Sequence, residues 1–351
     1  ILIQLFLKGG KMKFSEYKYE RPNFKEINKK IISLINDMKK SDNFEKFDKN
    51  IVEINKIRNH VESMKTLASI NYSINTHDEK IAIENRYWDE YGPEYKKIDK
   101  VFYETIVNSD FKTDIEAKYG KHFYKLVEFS LKEFSDEIVD DLKIENKLCS
   151  EYTKLLASAK IFYDGKYNNL SQMNKYMLSE NREERKVASE KFYNYFESIE
   201  DKFNSNFDEL VELRNRIAKK LGFDNFVELG YIRMKRTEYG EADVSKFRDE
   251  VREKWIPLVD EFNKQKRVRL GIDELKYYDD DIEYPGWNME PLTDYDETLD
   301  AASKMYHELS KETGEVFDFM VENEFMDLET KESKGFGGYC TYIPEIKAPF
   351  I

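Results

Sequence analysis

Histidines are the first residues to test for metal chemistry in this sequence. The four are His60, His77, His122 and His307. Only His307 is followed by a glutamate, as in the H-E-x-x-H motif whose two histidines bind zinc from one face of a helix. The residue four positions later is Lys311, so the second histidine of the motif is missing. We therefore interpret His307 as a surface or partly buried helix residue, and we predict no metal ligand in the chain.

Carboxylates are the second group that could do chemistry, because paired acids transfer protons or hold hard cations. Two acidic stretches stand out, residues 279–281 and residues 324–329. The chain contains 70 acidic residues, however, and runs of charge usually lie on solvated loops. We predict that both stretches are solvated and form no catalytic site.

The two cysteines, Cys149 and Cys340, are too few and too far apart for a disulfide framework or a metal site. We interpret each as a small buried hydrophobic residue, and the low cysteine count as typical of a reducing, cytoplasmic setting. The sequence also lacks the glycine-rich phosphate-binding motifs and the G-x-S-x-G motif of serine hydrolases. A catalytic cysteine stays open at this point, but these residues form no complete catalytic constellation.

Composition narrows the class of protein. The 351 residues are 40% hydrophobic and 36% charged, which is typical of a globular chain with enough residues for two or three domains. The net charge of -13 argues against nucleic-acid binding, because it repels a phosphate backbone. No apolar run approaches the roughly 20 residues that cross a membrane. We therefore expect no nucleic-acid partner and no membrane partner.

The elements that must position these residues are mostly helices. From Asn23 to about residue 310, apolar residues recur at the i, i+3, i+4, i+7 spacing of a core-facing helix, and Asn23 with Glu26 forms a candidate cap. We expect Gly92 and Pro93 to interrupt one of these helices, and Pro257 to kink another. The period predicts a mainly α fold.

Two short β elements interrupt the helical pattern. Asp164 and Gly165 lie in the middle of a β-prone stretch, residues 161–167, which predicts a two-residue hairpin turn. The last fifteen residues, "GGYCTYIPEIKAPFI", contain two further β-prone runs, at residues 339–343 and 350–351. We therefore predict a small β-hairpin and a short C-terminal β element within a multi-helix architecture.

That closing segment is the most distinctive of three stretches. The others are "LVELRNRIAKKLGFDNFVELGYIRMKRTEYG", residues 210–240, and "KWIPLVDEF", residues 254–262. In this order and at these separations, they resemble the oligoendopeptidase F and Pz-peptidase branch of the thimet oligopeptidase family of zinc metallopeptidases. The likeness extends from about residue 14 to the last residue. It implies an elongated, neurolysin-like fold with an N-terminal helical domain, residues 12–165, and the first part of the peptidase domain, residues 166–351.

The resemblance also implies a peptide-binding site near the end of the sequence. Residues 337–343 would form a strand beside the catalytic cleft, and Pro349 would begin the strand along which a peptide lies. A peptide pairs with such an edge through its backbone, and glycines permit the close approach that pairing needs. An ordinary tight turn into a core strand is the alternative interpretation. The residues implied in substrate binding are Gly337, Gly338, Tyr339, Cys340, Thr341, Phe350 and Ile351.

The sequence departs from the family in its catalytic groups. In the family, two zinc-binding histidines, a glutamate ligand, a general-base glutamate and two transition-state donors all follow the closing segment. No residue of this chain matches them. The resemblance implies zinc in the complete enzyme, where it polarises the scissile carbonyl and lowers the pKa of a bound water. For this chain alone it implies no bound zinc, no catalysis and an open strand edge that promotes self-association.

The start of the sequence predicts a leader. Residues 8–12, "KGGKM", back-translate to the ribosome-binding sequence AGGAGG just before a start codon. The apolar run before them lacks the basic segment and the cleavage site of a signal peptide. We expect Met12 to be the true start and residues 1–11 to be a translated leader outside the fold. We also expect the open reading frame to be cut at both ends.

Three functions remain open at this point. The leading interpretation is the N-terminal part of a zinc-dependent oligoendopeptidase that hydrolyses internal bonds of short unstructured peptides in the cytoplasm. The second is a non-catalytic helical module that binds peptides or a partner. The third is a pseudoenzyme that ends naturally at Ile351. Oligopeptide substrates are the partners that the leading interpretation implies.

Overall fold

Residues 12–286 and 294–351 are described by the computed structural model, and most of them are helical. Within these ranges, no helix is both long enough and apolar enough to cross a membrane. The predicted leader, residues 1–11, lies outside the described residues. The helices of the first half, in chain order, are α1 (Phe24–Lys39), α2 (Phe44–Ile74), α3 (Glu79–Val107), α4 (Lys112–Tyr119), α5 (Lys121–Lys132) and α6 (Val139–Ala157).

The second half begins and ends with a short hairpin. Strand β1 (Ile161–Tyr163) pairs antiparallel with β2 (Lys166–Asn168), and β3 (Thr341–Ile343) pairs antiparallel with β4 (Ala348–Phe350). The predicted mainly α fold with two small β elements is confirmed. The helices between the hairpins are α7 (Leu170–Met177), α8 (Arg182–Ser198), α9 (Glu200–Lys220), α10 (Phe226–Arg233), α11 (Glu241–Glu250), α12 (Ile256–Leu270), α13 (Tyr295–Leu309) and α14 (Lys311–Glu322).

Local sequence signals set several element boundaries. The Asn23 side chain accepts a hydrogen bond from the Glu26 amide, so the predicted cap of α1 is confirmed. The β1–β2 turn also forms as predicted, with Asp164 at a φ of 52° and Gly165 at 73°. Glycine adopts such angles without strain, and aspartate tolerates them better than most residues.

Pro93 does not interrupt α3, so that prediction is wrong. The helix continues through Gly92 and Pro93 to its end. Because proline has no backbone N–H, the carbonyl of Asp89, four residues earlier, loses its helical partner. The Asn146 side chain on α6 donates to that carbonyl, with 3.1 Å between nitrogen and oxygen. A neighbouring helix thus supplies the missing hydrogen bond.

Pro257 disturbs the helix that precedes it. It is the second residue of α12. The five residues before α12, Val251–Trp255, form a π-helical turn that joins it to α11. Such turns are a recognised response to a break in the regular hydrogen-bond ladder. The disturbance expected at Pro257 therefore takes the form of one wider turn.

The first and last described segments share one hydrophobic core. Leu67 of α2 packs with Ile343, Ala348 and Phe350 of the C-terminal hairpin, and each is at most 2% exposed. The ring of Phe14 lies 4.5 Å from the ring of Phe350, measured between centroids. The C-terminal hairpin is therefore part of the core formed by the N-terminal helices.

Three further cores complete the described structure. The first contains residues from each of the five helices α1 through α5. The second joins α6 to α9 and α10, and the third packs the β1–β2 hairpin against α7 and α8. Because α6 touches both α3 and α9, it links the N-terminal helices to those that follow the hairpin.

The C-terminal strand is shorter than the resemblance implied. Strand β3 begins at Thr341 rather than at Gly337. Gly337 itself has a φ of 97°, which is outside the range of strands. In the middle of the ladder Tyr342 pairs with Pro349. The two β-prone runs at the end of the sequence therefore pair with each other.

The expected open edge at the end of the sequence is already paired. The amide of Ile351 donates to the carbonyl of Phe325 at 3.1 Å, and the Ile351 carbonyl accepts from the Asp327 amide at 2.9 Å. Phe350 is buried as well. The premise of an exposed terminal strand is therefore wrong, while self-association itself stays a prediction.

One acidic stretch is not solvated as predicted. Asp279 is fully buried, and its carboxylate binds Arg182 at 2.8 Å and Arg185 at 3.0 Å. Its neighbours Asp280 and Asp281 are exposed. The prediction is therefore wrong for Asp279, because a buried carboxylate needs nearby cations that the local sequence does not reveal.

Candidate functional site

A cleft with a volume of about 630 Å³ lies where three helices meet the C-terminal segment. One wall is formed by the last turns of α2 together with α3 and α6. The other wall is formed by residues 334–339 and by the end of β4. The packing of the C-terminal hairpin on α2 therefore creates the cleft.

Most of the residues predicted to bind substrate lie along this cleft. They are Gly337, Gly338, Tyr339, Phe350 and Ile351. The remaining two do not line it: Cys340 is exposed and Thr341 begins β3. The structure thus brings most of the predicted set together, and their role in binding stays a prediction.

The glycine-rich segment passes close to the end of α2. The Gly335 amide donates to the Ser73 carbonyl at 2.7 Å, and a Cβ at Gly335 would lie only 3.4 Å from that oxygen. The Tyr339 hydroxyl forms a 2.6 Å hydrogen bond with the Ser73 hydroxyl, and burial raises the pKa of Tyr339. These contacts fix the wall of the cleft between them, where Gly337 and Gly338 present backbone without side chains.

The opposite wall carries a polar cluster that the sequence reasoning missed. Asp89 of α3 accepts hydrogen bonds at Oδ2 from Ser150 at 2.8 Å and from Asn85 at 3.3 Å. The Asn85 side chain also donates to the Ser150 hydroxyl at 2.9 Å. Burial raises the pKa of Asp89, and the hydrogen bond from Ser150 only partly opposes that rise. Pro93 was the one feature of the sequence that could have pointed to this cluster, because it leaves the Asp89 carbonyl free to accept from Asn146.

The other charged groups of the cleft neutralise one another. Asp327 binds Lys331 and Lys334, each at 2.8 Å. Burial alone would raise the pKa of Asp327, but the hydrogen bonds from the two lysines outweigh it and the pKa is lowered. Among the described residues no lysine, arginine or histidine forms an ion pair with Asp89, which differs in this respect from Asp327.

The histidines lie away from the cleft lining. His307 sits on α13 as predicted, about half exposed, with its Nε2 2.7 Å from Asp318 on α14. His60 faces Glu345 at 3.0 Å on the surface. Within the described residues, no group of three His, Cys, Asp or Glu side chains could hold a metal ion. The donor set of residues 12–286 and 294–351 therefore does not fit the zinc that the family resemblance implies.

Cys149 and Cys340 are both exposed, so the prediction that they are buried is wrong. Cys149 lines the cleft together with the polar residues Asn146, Ser150 and Thr153 of α6. Although the residue as a whole is exposed, partial burial of its thiol raises the pKa of Cys149, and Arg214 opposes the rise. A protonated thiol is a weak nucleophile. Burial therefore makes Cys149 a weaker candidate nucleophile.

Two protein-family models match this chain. The Peptidase M3 N-terminal domain matches residues 14–134, and Peptidase family M3 matches residues 175–350, half of the chain. The chain belongs to peptidase family M3. The predicted family is confirmed, with the matched residues lying at 14–134 and 175–350. A comparison with the curated proteins finds no match.

Solved structures agree with the M3 fold along nearly the whole chain. A protein assigned as oligoendopeptidase F from Bacillus anthracis str. Ames is 41% identical, with a TM-score of 0.94 over 97% of this chain and 62% of its own. Pz peptidase A with an inhibitor is 43% identical, with a TM-score of 0.95 over 96% and 60%. A second protein assigned as oligoendopeptidase F, solved at 3.1 Å, is 39% identical, with a TM-score of 0.95 over 97% and 60%.

The M3 chain therefore spans about three fifths of the length of these solved structures. The boundary predicted between residues 165 and 166 falls between the two matched regions, in the β1–β2 turn. The two domains themselves stay a prediction.

Proposed function

We propose that this M3 chain is the peptide-binding part of a zinc-dependent oligoendopeptidase that hydrolyses internal bonds of short unstructured peptides. The observation that carries the proposal is the cleft between the N-terminal helices and the glycine-rich segment. The solved relatives of this chain, at 39–43% identity, are named as oligoendopeptidase F and as Pz peptidase. A cleft of this size accommodates part of an extended peptide rather than a folded domain.

The backbone of the glycine-rich segment supports recognition through main-chain pairing. Within the described residues, the amides of Gly337, Gly338 and Tyr339 donate no hydrogen bond to another residue. An extended peptide beside them would satisfy these amides with its carbonyl groups, whatever its side chains are. The backbone of Ile351 is already paired, so Ile351 offers contact surface instead.

Hydrolysis in this proposal needs groups that the described residues do not supply. Zinc hydrolases bind the metal through clustered His and Glu side chains, and no such cluster is present in the described residues. We propose that the zinc ligands and the general base belong to polypeptide corresponding to the part of the relatives that this chain does not span. The chain alone would then bind peptides without cleaving them. A reducing, cytoplasmic setting fits its two exposed free cysteines.

The test is peptide binding to residues 12–351. A short labelled peptide, a scrambled version and a version with methylated backbone nitrogens are titrated by fluorescence anisotropy. We expect the first two to bind alike, and the methylated version to bind about tenfold more weakly because it cannot approach the glycine segment closely. Mass spectrometry of the same mixtures should show intact peptide.

The substitutions Gly338→Pro and Gly338→Ala form a matched pair for this test. Proline removes the Gly338 amide, whereas alanine keeps it and finds no atom within 4 Å of its Cβ. We expect only the proline variant to lose affinity. Equal affinities for both variants, or no binding by any peptide, would contradict the proposal.

A non-catalytic peptide- or partner-binding module is the second candidate, because it needs nothing beyond the cleft. The length of the solved relatives favours the peptidase, since this chain covers only 60–62% of them. Sequencing the DNA that follows the Ile351 codon separates the two. A peptidase requires an H-E-x-x-H motif within about 30 codons, and a stop codon at that point would favour the module.

A further inference from the structure

We infer that Asp89 recognises a positively charged group of the bound peptide, either an α-ammonium group or a lysine or arginine side chain. The inference rests on the proposed peptide-binding function and adds a chemical preference to it. Asp89 lines the cleft on the wall opposite the glycine-rich segment. A peptide held by that segment therefore faces Asp89 across the cleft.

The carboxylate of Asp89 is held in one orientation. Both hydrogen bonds from Ser150 and Asn85 reach the same oxygen, Oδ2. The other oxygen, Oδ1, accepts no hydrogen bond from the described residues, and it is not one of the fully buried atoms that lack a partner. One oxygen is thus fixed by the protein, and the other remains accessible to a ligand in the cleft.

The backbone at this point is also fixed. The Asp89 carbonyl is bound by Asn146 because Pro93 cannot donate to it. Asp89 is therefore tied to α6 through both its side chain and its main chain. Little conformational freedom remains to be lost on binding, which favours affinity.

No neighbouring cation neutralises Asp89 within the described residues. On its own helix, Arg86 is paired with Glu79 at 2.6 Å. On α6, the nearby Glu145 is paired with Arg214 and Arg233, at 2.7 Å and 2.9 Å. The other acid of the cleft wall, Asp327, is bound by two lysines. Asp89 is therefore the carboxylate of the cleft that can form a charge-assisted hydrogen bond with a ligand.

The competing explanation is that Asp89 only joins α3 to α6 through Ser150. That role would make the Asp89→Asn substitution destabilising and would leave peptide selectivity unchanged. Recognition of a cation makes the opposite prediction, because the amide keeps the shape and the acceptor oxygen but removes the charge. Selectivity between peptides is therefore the deciding measurement.

Three peptides that share one neutral sequence provide that measurement with residues 12–351. The first has a free N-terminus, the second is N-acetylated, and the third is N-acetylated with one lysine. Fluorescence anisotropy should give about tenfold tighter binding for at least one cationic peptide than for the neutral one. A preference for the first identifies the α-ammonium group, and a preference for the third identifies a side chain.

The Asp89→Asn variant should bind all three peptides with the affinity of the neutral one, and at neutral pH it should have a higher melting temperature than the wild type. The Asp281→Asn variant, at an exposed position outside the cleft lining, is the control, and it should keep the preference for the cationic peptide. An equal preference in the wild type and in Asp89→Asn would overturn the inference and leave the proposed function intact. Binding of no peptide at all would overturn both.

Discussion

Two acidic side chains, Asp89 and Asp279, lie in surroundings that shift their pKa values in opposite directions. Burial raises the pKa of Asp89, which has no cation paired with it among the described residues. Burial would also raise the pKa of Asp279, but hydrogen bonds from Arg182 and Arg185 and from the Lys276 amide lower it to about 2. Asp279 is thus committed to a structural ion-pair cluster, whereas the charge of Asp89 remains available for a ligand.

The Asp89→Asn substitution is expected to raise the melting temperature at neutral pH. Because the folded-state pKa of Asp89 lies above its ordinary value of 3.8, the fold favours the neutral acid and the ionised form opposes folding. The stability from the neutral acid is fully present below that ordinary value and is lost as the pH rises through the folded-state pKa. The advantage of the variant should therefore shrink on acidification. Circular dichroism melts at about pH 7 and about pH 4 check this.

A lower melting temperature for Asp89→Asn at both pH values would contradict that expectation. It would mean that the carboxylate stabilises the contact between α3 and α6. The functional assignment of Asp89 would then lose its thermodynamic support.

The Asp279→Asn substitution should lower the free energy of unfolding by about 3 kcal/mol, because two arginines lose a fully buried partner. The folded-state pKa of about 2 lies below the ordinary value of 3.8. The stability from Asp279 is therefore present above about pH 4 and is lost as the pH falls towards 2. Urea unfolding across this range checks both points. Asp281→Asn, at an exposed position in the same acidic stretch, is the control and should change little.

Helix α3 shows how an element can depend on a distant partner. Pro93 would kink or break an isolated helix, yet α3 continues through it, and the Asn146 side chain donates the hydrogen bond that the proline cannot. The signals that the sequence predicted correctly, such as Asn23 with Glu26, act between residues three positions apart. The contact from Asn146 spans 57 positions, and helical periodicity does not specify which helix packs beside which.

The two walls of the candidate site also differ in whether the sequence could predict them. The glycine-rich wall with Gly337 and Gly338 could be predicted, because glycines and β-prone residues form a continuous, distinctive stretch of sequence. The wall with Asp89 could not, because Ser150 approaches it from 61 positions away through the packing of α3 on α6. The burial of Asp279 could not be predicted for the same reason, since its partner Arg185 precedes it by 94 positions.

The role of Asn146 can be tested with a double-mutant cycle. Asn146→Ala leaves the Asp89 carbonyl without a partner and should lower the free energy of unfolding by about 1–2 kcal/mol. In a Pro93→Ala background the amide of the new alanine can bond to the Asp89 carbonyl, so the same substitution should cost less. Urea unfolding of the four proteins measures the difference. An equal loss in both backgrounds would show that Asn146 acts through some other contact.

At the scale of the whole molecule, one run of exposed apolar side chains among the described residues lies on α12 and the turn before it. Trp255, Val259 and Phe262 fall at i, i+4, i+7 positions and are 61%, 48% and 63% exposed. Phe350, in contrast, is 2% exposed. Contiguous exposed apolar surface marks a site of association. Self-association of the isolated chain, if driven by apolar surface, should therefore use α12.

The last prediction tests whether self-association uses α12 or the C-terminal strands. In residues 12–351, replacing both Trp255 and Phe262 by serine should reduce self-association with little loss of stability, because neither side chain is buried. Phe207→Ser, at a residue 62% exposed on α9, is the control and should leave association unchanged. Sedimentation velocity over a range of concentrations measures the effect.

Ending the chain at Lys334 should have the opposite effect on self-association. This deletion removes Ile343, Ala348 and Phe350 from the core that they share with α2, so it should lower the melting temperature and increase association by uncovering Leu67. If the shortened chain were instead a stable monomer while the double serine variant still associated, the open surface would lie on the terminal hairpin. The core between the two ends of the chain would then not hold in solution.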